Sequence, residues 1–221
     1  MAKVSWSYSA LSSFETCPWR HYLTKVTKQV KDPPGEEAKW GMWVHEMLAK
    51  RVEHGTPLPV SIAGYEPMCA ALSRSKTGLL LVERKLAIND KFEPVDWRSS
   101  DAWLRSIMDL AILNGPKGLM VDYKTGKYKP DNDQLELFAA VGFCHFPQLE
   151  EVKTSFFWLK DGTTENAVHL RGGVHATWAK FIPRVRKIEI AVETNDWPKK
   201  PSGLCKKHCP VGRGLCEHWG G

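Results

Sequence analysis

Apolar residues in the first third of the chain recur at every third or fourth position, the spacing of an amphipathic helix. This periodicity predicts helices over 7–26, 36–53 and 64–75. The sequence Asp32-Pro33-Pro34-Gly35 separates the first two, and His54-Gly55 ends the second. From residue 79 the apolar runs shorten to the length of strands, so the pattern changes from helical to extended within one chain.

The middle of the chain is predicted to form a sheet. Successive strands are expected over 79–88, 103–113 and 119–124, and a helix over 132–145. Later segments predict two more strands, a long helix and a cysteine-rich tail, at 152–159, 166–170, 174–193 and 194–221.

This order of elements predicts an α/β (α+β) fold, in which a mixed sheet with a crossing helix is flanked by N-terminal helices and a C-terminal helix. With 221 residues, 43% of them hydrophobic, the chain can bury one sizeable core. We therefore expect one domain over 1–221, made of a helical part (1–78), a core (79–172) and a C-terminal helix with its tail (173–221).

Two apolar runs in the middle of the chain carry acidic residues at comparable places. Asp109 lies in the run 103–113, and Asp122 and Lys124 end the run 118–124. The turn sequence Asn114-Gly115-Pro116-Lys117-Gly118 between them predicts a hairpin that brings Asp109 beside Asp122. Because side chains alternate along a strand, Asp122 and Lys124 are expected to project together while Tyr123 points away.

Carboxylates beside an ammonium group suit metal-assisted attack on a phosphodiester, since the carboxylates hold a divalent cation and the lysine stabilises negative charge. The Asp-x-Lys triplet alone is weak, because Glu37-Ala-Lys39 and Glu151-Val-Lys153 have the same form. Only Asp122-Tyr123-Lys124 combines a strand, a turn and an upstream aspartate. The alternative interpretation is a set of solvated charges at strand ends.

Bulk composition narrows the classes of function. A net charge of +6 and a pI near 9.0 favour a polyanionic partner, and the lysines around 124–129 and 199–207 either contact phosphates or form a solvated basic face. The sequence contains no apolar run of the roughly 18 residues that a membrane helix needs and no signal-peptide pattern. We therefore expect an intracellular, cytoplasmic protein without a membrane partner, whose six cysteines are thiols or metal ligands rather than disulfides.

The spacing of Asp109 and Asp122-Tyr123-Lys124 resembles the catalytic core of PD-(D/E)XK nucleases, in particular their RecB-like exonuclease branch. Other segments match that branch in the same order along the chain. The first is the segment 8–23, which contains Cys17-Pro18 and resembles the opening helix of that branch. The second is Gly41-Met-Trp-Val-His45, which resembles the helix with a metal-facing histidine. The third is Gln134-Leu-Glu-Leu-Phe138, which resembles the glutamine motif. That motif usually ends in tyrosine, so Phe138 is a departure.

The resemblance implies roles for individual residues. Asp109, Asp122, His45 and the backbone carbonyl of Tyr123 are expected to bind Mg²⁺ or Mn²⁺, and Lys124 to position the attacking water and stabilise charge. Gln134 could hydrogen-bond a metal-bound water or the DNA backbone. Glu83, on the first strand, either adds a carboxylate to the site or pairs with neighbouring basic residues.

The cysteines fall into two groups. Cys69 and Cys144 lie in apolar helical stretches and are expected to pack in the core. Four others, Cys17, Cys205, Cys209 and Cys216, resemble the one-plus-three arrangement of iron–sulfur members of the family, which predicts a [4Fe–4S] cluster. The tail spacing is longer than that pattern by one residue at each step, which leaves Zn²⁺ open, with His208 or His218 as a substitute ligand.

Together these features predict a metal-dependent DNA exonuclease that leaves 5′-phosphates and acts in recombination, DNA end processing or bacteriophage DNA metabolism. DNA is the expected partner, with a single-strand annealing or binding protein as a second one and the host cytoplasm as the location if a phage encodes the chain. The alternatives are a structure-specific endonuclease on the same fold, a catalytically silent DNA-binding or assembly subunit, and a zinc-stabilised adaptor that needs the cysteines but not Lys124.

Overall fold

A six-stranded mixed sheet forms the centre of residues 34–179. The computed structural model describes residues 4–74, 78–129 and 132–220, which group into two units, 34–179 and 1–33 together with 180–221. The strands in chain order are β1 (Leu79–Ile88), β2 (Pro94–Val95), β3 (Leu104–Asn114), β4 (Lys117–Lys124), β5 (Glu151–Trp158) and β6 (Thr163–Leu170). Their order across the sheet is β2-β1-β3-β4-β5-β6, and all neighbours are antiparallel except β4 and β5.

The helices, numbered in chain order, are α1 (Tyr8–Thr16), α2 (Pro18–His21), α3 (Glu36–His54), α4 (Glu66–Ser73), α5 (Asn132–His145) and α6 (Val174–Thr194). The parallel pair β4–β5 needs a crossover, and α5 supplies it, as the sequence predicts. The mixed sheet, the crossing helix and the flanking helices confirm the predicted fold class.

Helix α3 covers one face of the sheet. Its apolar positions Val44 and Leu48 are almost fully buried against Leu110 and Val121 of the central strands. Glutamates in its first turn suit the positive end of the helix dipole, and Gly55, with φ 73°, ends the helix in the left-handed conformation that glycine adopts readily. This packing fixes the position of every side chain on α3 that points toward the sheet.

The regular alternation of side chains breaks where β1 and β3 pass Asp109. Met108 lies against Gly142 of α5, whereas Leu110 belongs to the core cluster of α3. In an uninterrupted strand two residues this far apart share a face. The pairing of β1 with β3 joins Val82 to Leu110 and Arg84 to Met108 but skips the residues between, and Glu83 has a φ of 47°. Both strands therefore change face at Glu83 and Asp109.

The other unit contains α1, α2, a π-helix at Tyr22–Val26 and residues 180–221, which include a 3-10 helix at Gly203–Cys205. The single helix predicted over 7–26 is wrong at Cys17, which is extended (φ −163°, ψ 109°). The cause is Pro18, because a proline ring disfavours the helical conformation of the residue before it. The Ser7 side chain caps α1 by accepting the Ala10 N–H at 3.2 Å.

Smaller differences from the sequence prediction concern the ends of elements. The short strand β2 was not predicted, and β6 begins at Thr163 rather than 166. The helix predicted over 64–75 is a 3-10 turn at Val60–Tyr65 followed by α4, and residue 75 lies outside the described residues. Within the described part of the chain, no helix combines the length and apolar character needed to cross a bilayer.

Arg171 ties the C-terminal end of α5 to the end of β6. Its guanidinium donates hydrogen bonds to the carbonyls of Phe143, Phe146, Pro147 and Leu149, and lies over the Phe143 ring at 5.1 Å. Phe143 lies in the last turn of α5, where carbonyls have no partner inside the helix, and the other three carbonyls belong to the segment between α5 and β5. One planar guanidinium therefore satisfies several carbonyls at once.

We predict that Arg171→Met lowers the free energy of unfolding by about 2–3 kcal/mol, because the carbonyls lose their donors. Arg171→Lys should recover only part of the loss, since an ammonium cannot reproduce the fork. Urea unfolding measures both, with Lys153→Met, at an exposed cation of β5, as control. A change below about 0.5 kcal/mol in Arg171→Met contradicts this role.

Candidate metal centre and active site

His45, Glu83 and Asp109 come together from α3, β1 and β3. One donor atom from each lies within 4.8 Å of the others, and this is the only such group of His, Cys, Asp and Glu side chains in the described ranges. The donors are two carboxylates and an imidazole, a set that suits a divalent cation such as Mg²⁺ or Mn²⁺. The change of face at Glu83 and Asp109 is what turns both carboxylates toward α3.

Asp109 is oriented by the neighbouring strand and by α3. Its Oδ2 accepts the backbone N–H of Tyr123 at 2.7 Å, and its Oδ1 lies 3.3 Å from His45 Nδ1. The Tyr123 ring packs edge-on against the His45 ring, with centroids 5.9 Å apart. The hairpin predicted from the turn at 114–118 therefore exists and sets Asp109 beside the Asp122-Tyr123-Lys124 segment.

Asp122, Lys124 and Gln134 form a second, linked group on the face of the sheet that α5 covers. The Lys124 ammonium lies 2.6 Å from Asp122 Oδ2 and donates to Gln134 Oε1 at 2.8 Å. Gln134 Nε2 in turn donates to Asp122 Oδ1 at 3.1 Å. Both ends of the Gln134 amide are thus engaged, and the residue holds the carboxylate and the ammonium in fixed positions.

Burial and like charge raise the pKa of two carboxyls in the site. Burial is the larger cause for Asp122, whose pKa rises to about 6; the Asp109 charge adds to it, and the charge of Lys124 opposes it. Burial followed by the Asp109 charge also raises the pKa of Glu83. Ionised carboxylates this close repel one another, so the site favours either a proton or a cation.

His45 responds to the same charges in the opposite sense. Burial disfavours its protonated form, but the hydrogen bond to Asp109 and the charges of Asp109, Asp122 and Glu83 outweigh that effect and raise its pKa. Asp122 Oδ2 is buried and accepts no hydrogen bond from any described residue, and the Lys124 ammonium, 2.6 Å away, offsets its negative charge more than His45 does. Negative charge in excess of the available cations is the environment in which a divalent metal binds, so the donor set fits one.

A glycine on α3 allows the loop after Lys124 to approach closely. A Cβ at Gly41 would lie 2.7 Å from Thr125 Oγ1, closer than side chains tolerate. The sequence suggests that Gly41 admits backbone or substrate, and in the structure the neighbour is Thr125. This contact joins α3, which carries His45, to the segment that carries Lys124.

The structure brings all of the predicted catalytic residues into these two groups. Two neighbours escaped the sequence analysis: Thr125, and Phe156, whose ring lies 4.5 Å from the Lys124 ammonium. The parallel register, which sets Phe156 against Asp122, was the missing information. The other two triplets are surface charges, since Lys39 pairs with Glu36, and Glu151 with Lys117.

Comparison with known proteins agrees with this geometry. A family model for the PD-(D/E)XK nuclease superfamily matches residues 5–75, a segment that includes α3 and His45. Over this segment the chain is similar to that superfamily. No curated protein matches the sequence. Among solved structures, "Crystal structure of SSO0001" aligns with 97% of this chain and 87% of its own at 13% identity and a TM-score of 0.47, a likeness too low to carry a function across.

One position departs from the superfamily motif that the sequence resembles. Phe138 stands where the glutamine motif usually has tyrosine, and its side chain is only 4% exposed, within the apolar side of α5. An aromatic ring without a hydroxyl suits this environment, so no proton transfer or hydrogen bond can be assigned to position 138.

The cysteines of the terminal segments share one pocket. Cys17, Cys205, Cys209 and Cys216 all line it, together with His218 but not His208. All four are free thiols, and the neighbouring Cys205 and Cys17 contribute to the raised pKa of Cys209, after burial as the first cause. Cys69 is buried as expected and Cys144 half-buried, and burial raises the pKa of each thiol to about 11.

We predict that Asp122→Asn stabilises the metal-free protein at pH 7.5, on the order of 1–2 kcal/mol. The folded carboxyl holds its proton more tightly than the unfolded one, whose pKa is 3.8, so the ionised form costs stability above pH 6 and the cost fades as the pH falls toward 4. Thermal unfolding in EDTA measures the difference between Asp122→Asn and the wild type, which should shrink at pH 4.5.

Added Mn²⁺ should make the wild type the more stable of the two proteins at pH 7.5. Bound Mn²⁺ stabilises the folded wild type, whereas Asp122→Asn lacks one of the carboxylates that bind the ion. Glu151→Gln, at a half-buried surface carboxylate of β5 outside the site, serves as the control. A destabilised Asp122→Asn in EDTA at pH 7.5 would show that Lys124 compensates the buried charge fully.

Proposed function

We propose that the chain is a metal-dependent DNA exonuclease of the RecB-like branch. The strongest support is that a cation-binding set formed by His45, Glu83 and Asp109 lies beside the strand segment that carries an ammonium held by Asp122 and Gln134. The hydrogen bond from the Tyr123 N–H to Asp109 links the set to this segment. Phosphodiester hydrolysis needs both a cation for the phosphate and a fixed positive group at the reacting oxygen. Cleavage from DNA ends rather than at internal bonds is supported only by the resemblance of the motifs.

His45, Asp109, Asp122 and the Tyr123 carbonyl are proposed to hold Mg²⁺ or Mn²⁺, with Glu83 as a further carboxylate ligand. A bound divalent ion supplies Lewis-acid polarisation of the phosphate and a water of lowered pKa. Glu83 has a backbone φ of 47°, which few non-glycine residues adopt. Strain of this kind persists where a site requires a particular direction of the side chain, which favours a direct role for Glu83.

Lys124 is proposed to stabilise the negative charge that develops on the phosphate and to orient the attacking water. Its ammonium is half-buried between Asp122, Gln134 and the Phe156 ring. A charge held in place before reaction stabilises a transition state without a reorganisation cost. Gln134 is a positioning residue in this scheme, because it contacts Asp122 and Lys124 rather than the reacting atoms.

The alternatives differ in what they need from this site. A structure-specific endonuclease would use the same residues on internal bonds. A silent DNA-binding or assembly subunit would have no use for a complete set of ligands and a half-buried lysine held beside them, so the intact site argues against it. The biological setting proposed from the resemblance is recombination, end processing or phage DNA metabolism in the cytoplasm, beside an annealing or single-strand-binding protein.

We predict that Lys124→Ala lowers the cleavage rate about 100- to 1000-fold, because a preorganised charge is lost from the reacting phosphate. DNA affinity should change little, since many backbone contacts contribute to it. The assay uses end-labelled linear DNA beside closed circles, with Mg²⁺ or Mn²⁺. Degradation of the linear DNA alone supports an exonuclease, and cutting of circles supports an endonuclease.

Lys153→Ala provides the matched control, since Lys153 is an exposed lysine of β5 that ends a triplet of the same form and should keep full activity. If Lys124→Ala cleaves at the wild-type rate, the active site lies elsewhere. If the wild type cleaves neither substrate but binds both, the silent-subunit alternative holds.

We also propose that Cys17, Cys205, Cys209 and Cys216 bind a [4Fe–4S] cluster. Four thiolates around one zinc ion, at Zn–S distances of about 2.3 Å, lie roughly 3.8 Å apart. Across the described residues, no three of these sulfurs share the 4.8 Å mutual spacing seen for His45, Glu83 and Asp109. The four sulfurs line one pocket at a wider spacing than a single zinc ion needs, and a [4Fe–4S] core is larger than one ion. A [4Fe–4S] cluster is therefore favoured over a zinc site that includes His218.

Protein purified without oxygen is therefore predicted to be brown and to contain iron and sulfide. Cys209→Ser should lose the colour and lower the melting temperature, because metal–thiolate bonds join the two ends of the chain and add to the folding free energy. Cys144→Ser is the control, as it lies outside the pocket. A colourless wild type with stoichiometric zinc would favour the zinc site, and the absence of both metals would refute a shared site.

A further inference from the structure

Tyr128 lies in the loop that follows Lys124 and has no task in the reaction proposed above. Its side chain is 52% exposed, which is unusual for a large aromatic residue near a buried site. The ring nevertheless has a defined position: it packs edge-on against Trp158 with centroids 5.2 Å apart, and the Tyr128 N–H donates to Asp161 Oδ2 at 3.1 Å. An aromatic face is therefore presented to solvent from a supported loop.

The position of this ring follows from the register of β4 and β5. Trp158 is the direct partner of Lys124 in the parallel pair, so both side chains lie on the face of the sheet that carries Asp122. The Lys124 ammonium lies over the Phe156 ring. The ring centroids of Phe156 and Trp158 are 5.9 Å apart, and the Trp158 ring in turn packs against that of Tyr128. A row of rings thus leads from the proposed catalytic ammonium to the exposed tyrosine.

Two cations flank Tyr128 in the sequence. Lys127 and Lys129 are exposed, and neither forms an ion pair with any residue that the structure describes. Each nucleotide of a nucleic-acid strand has a phosphate on either side of its base. An aromatic ring flanked in sequence by two exposed lysines suits that repeat of charge, π-face and charge.

We propose that Tyr128 stacks on a nucleobase next to the scissile phosphate while Lys127 and Lys129 contact the flanking phosphates, so that the substrate strand is unpaired at this point. This inference rests on the proposed function for the location of the scissile phosphate. An internal base in a duplex has both faces covered by its neighbours, whereas a base in a single strand can stack on a protein ring. Single-stranded DNA or a single-stranded end is therefore the substrate class.

The test measures binding of single-stranded oligonucleotides in EDTA, where no cleavage occurs, by wild type, Tyr128→Phe and Tyr128→Ala. Tyr128→Ala should bind about 5- to 100-fold more weakly, whereas Tyr128→Phe keeps the ring and the affinity. A matched oligonucleotide with abasic sites should bind the wild type and Tyr128→Ala equally. Lys127→Gln/Lys129→Gln should weaken binding of both oligonucleotides and flatten the dependence on salt.

Equal affinity of the wild type and Tyr128→Ala for the normal oligonucleotide overturns the proposal. It is also overturned if Tyr128→Ala loses as much affinity for the abasic oligonucleotide as for the normal one. Failure of the wild type to bind single strands at low salt overturns it too. The measurement needs no catalysis, so it separates the two proposals. A wild type that binds with the stacking signature but cleaves nothing refutes the nuclease alone, and one that cleaves while Tyr128→Ala binds normally refutes the stacking alone.

Discussion

The site depends on one electrostatic constraint: Glu83, Asp109 and Asp122 bring three carboxylates into a partly buried space, where the permanent cations that act on them are Lys124 beside Asp122 and Lys85 near Glu83. Burial weakens the hydration that would stabilise each carboxylate, and proximity adds repulsion. Burial first and the Asp109 charge second raise the pKa of Asp122 and of Glu83, and the hydrogen bond to Asp109 and the carboxylate charges raise the pKa of His45. A divalent cation removes the excess without a proton, which is why the geometry is best explained as a metal site.

The fold produces this arrangement through two local departures from regular structure. The change of face at Glu83 and Asp109 directs two carboxylates toward α3, where Val44 and Leu48 anchor the helix and thereby place His45. The parallel pairing of β4 with β5 requires the crossover α5, and the first turns of that helix bring Gln134 to Asp122 and Lys124. The His45, Glu83 and Asp109 group thus lies on the α3 side of the sheet, and Asp122, Lys124 and Gln134 lie on the α5 side.

Sequence periodicity and turn chemistry predicted much of this, since the hairpin, the crossover and the alternation of Asp122 and Lys124 depend on local signals. The break at Cys17 was missed although its signal is local, because Pro18 disfavours the helical conformation of the residue before it and this effect overrides the helical spacing of the apolar residues. The other missed features depend on tertiary structure. The contacts of Phe156 with Lys124 and of Tyr128 with Trp158 follow from the β4–β5 register, which no local pattern encodes. The positive φ of Glu83 is not a preference of glutamate, so only the folded strands reveal it.

The most direct test of the central claim is anomalous diffraction at the manganese absorption edge from crystals grown with Mn²⁺ at pH 7.5. The account predicts a peak in contact with the side chains of His45, Glu83 and Asp109, and its loss in crystals of Asp109→Asn, which keeps the shape of the side chain but weakens the ligand. A wild-type crystal without a peak at these residues, or with Mn²⁺ bound only elsewhere, would contradict the account.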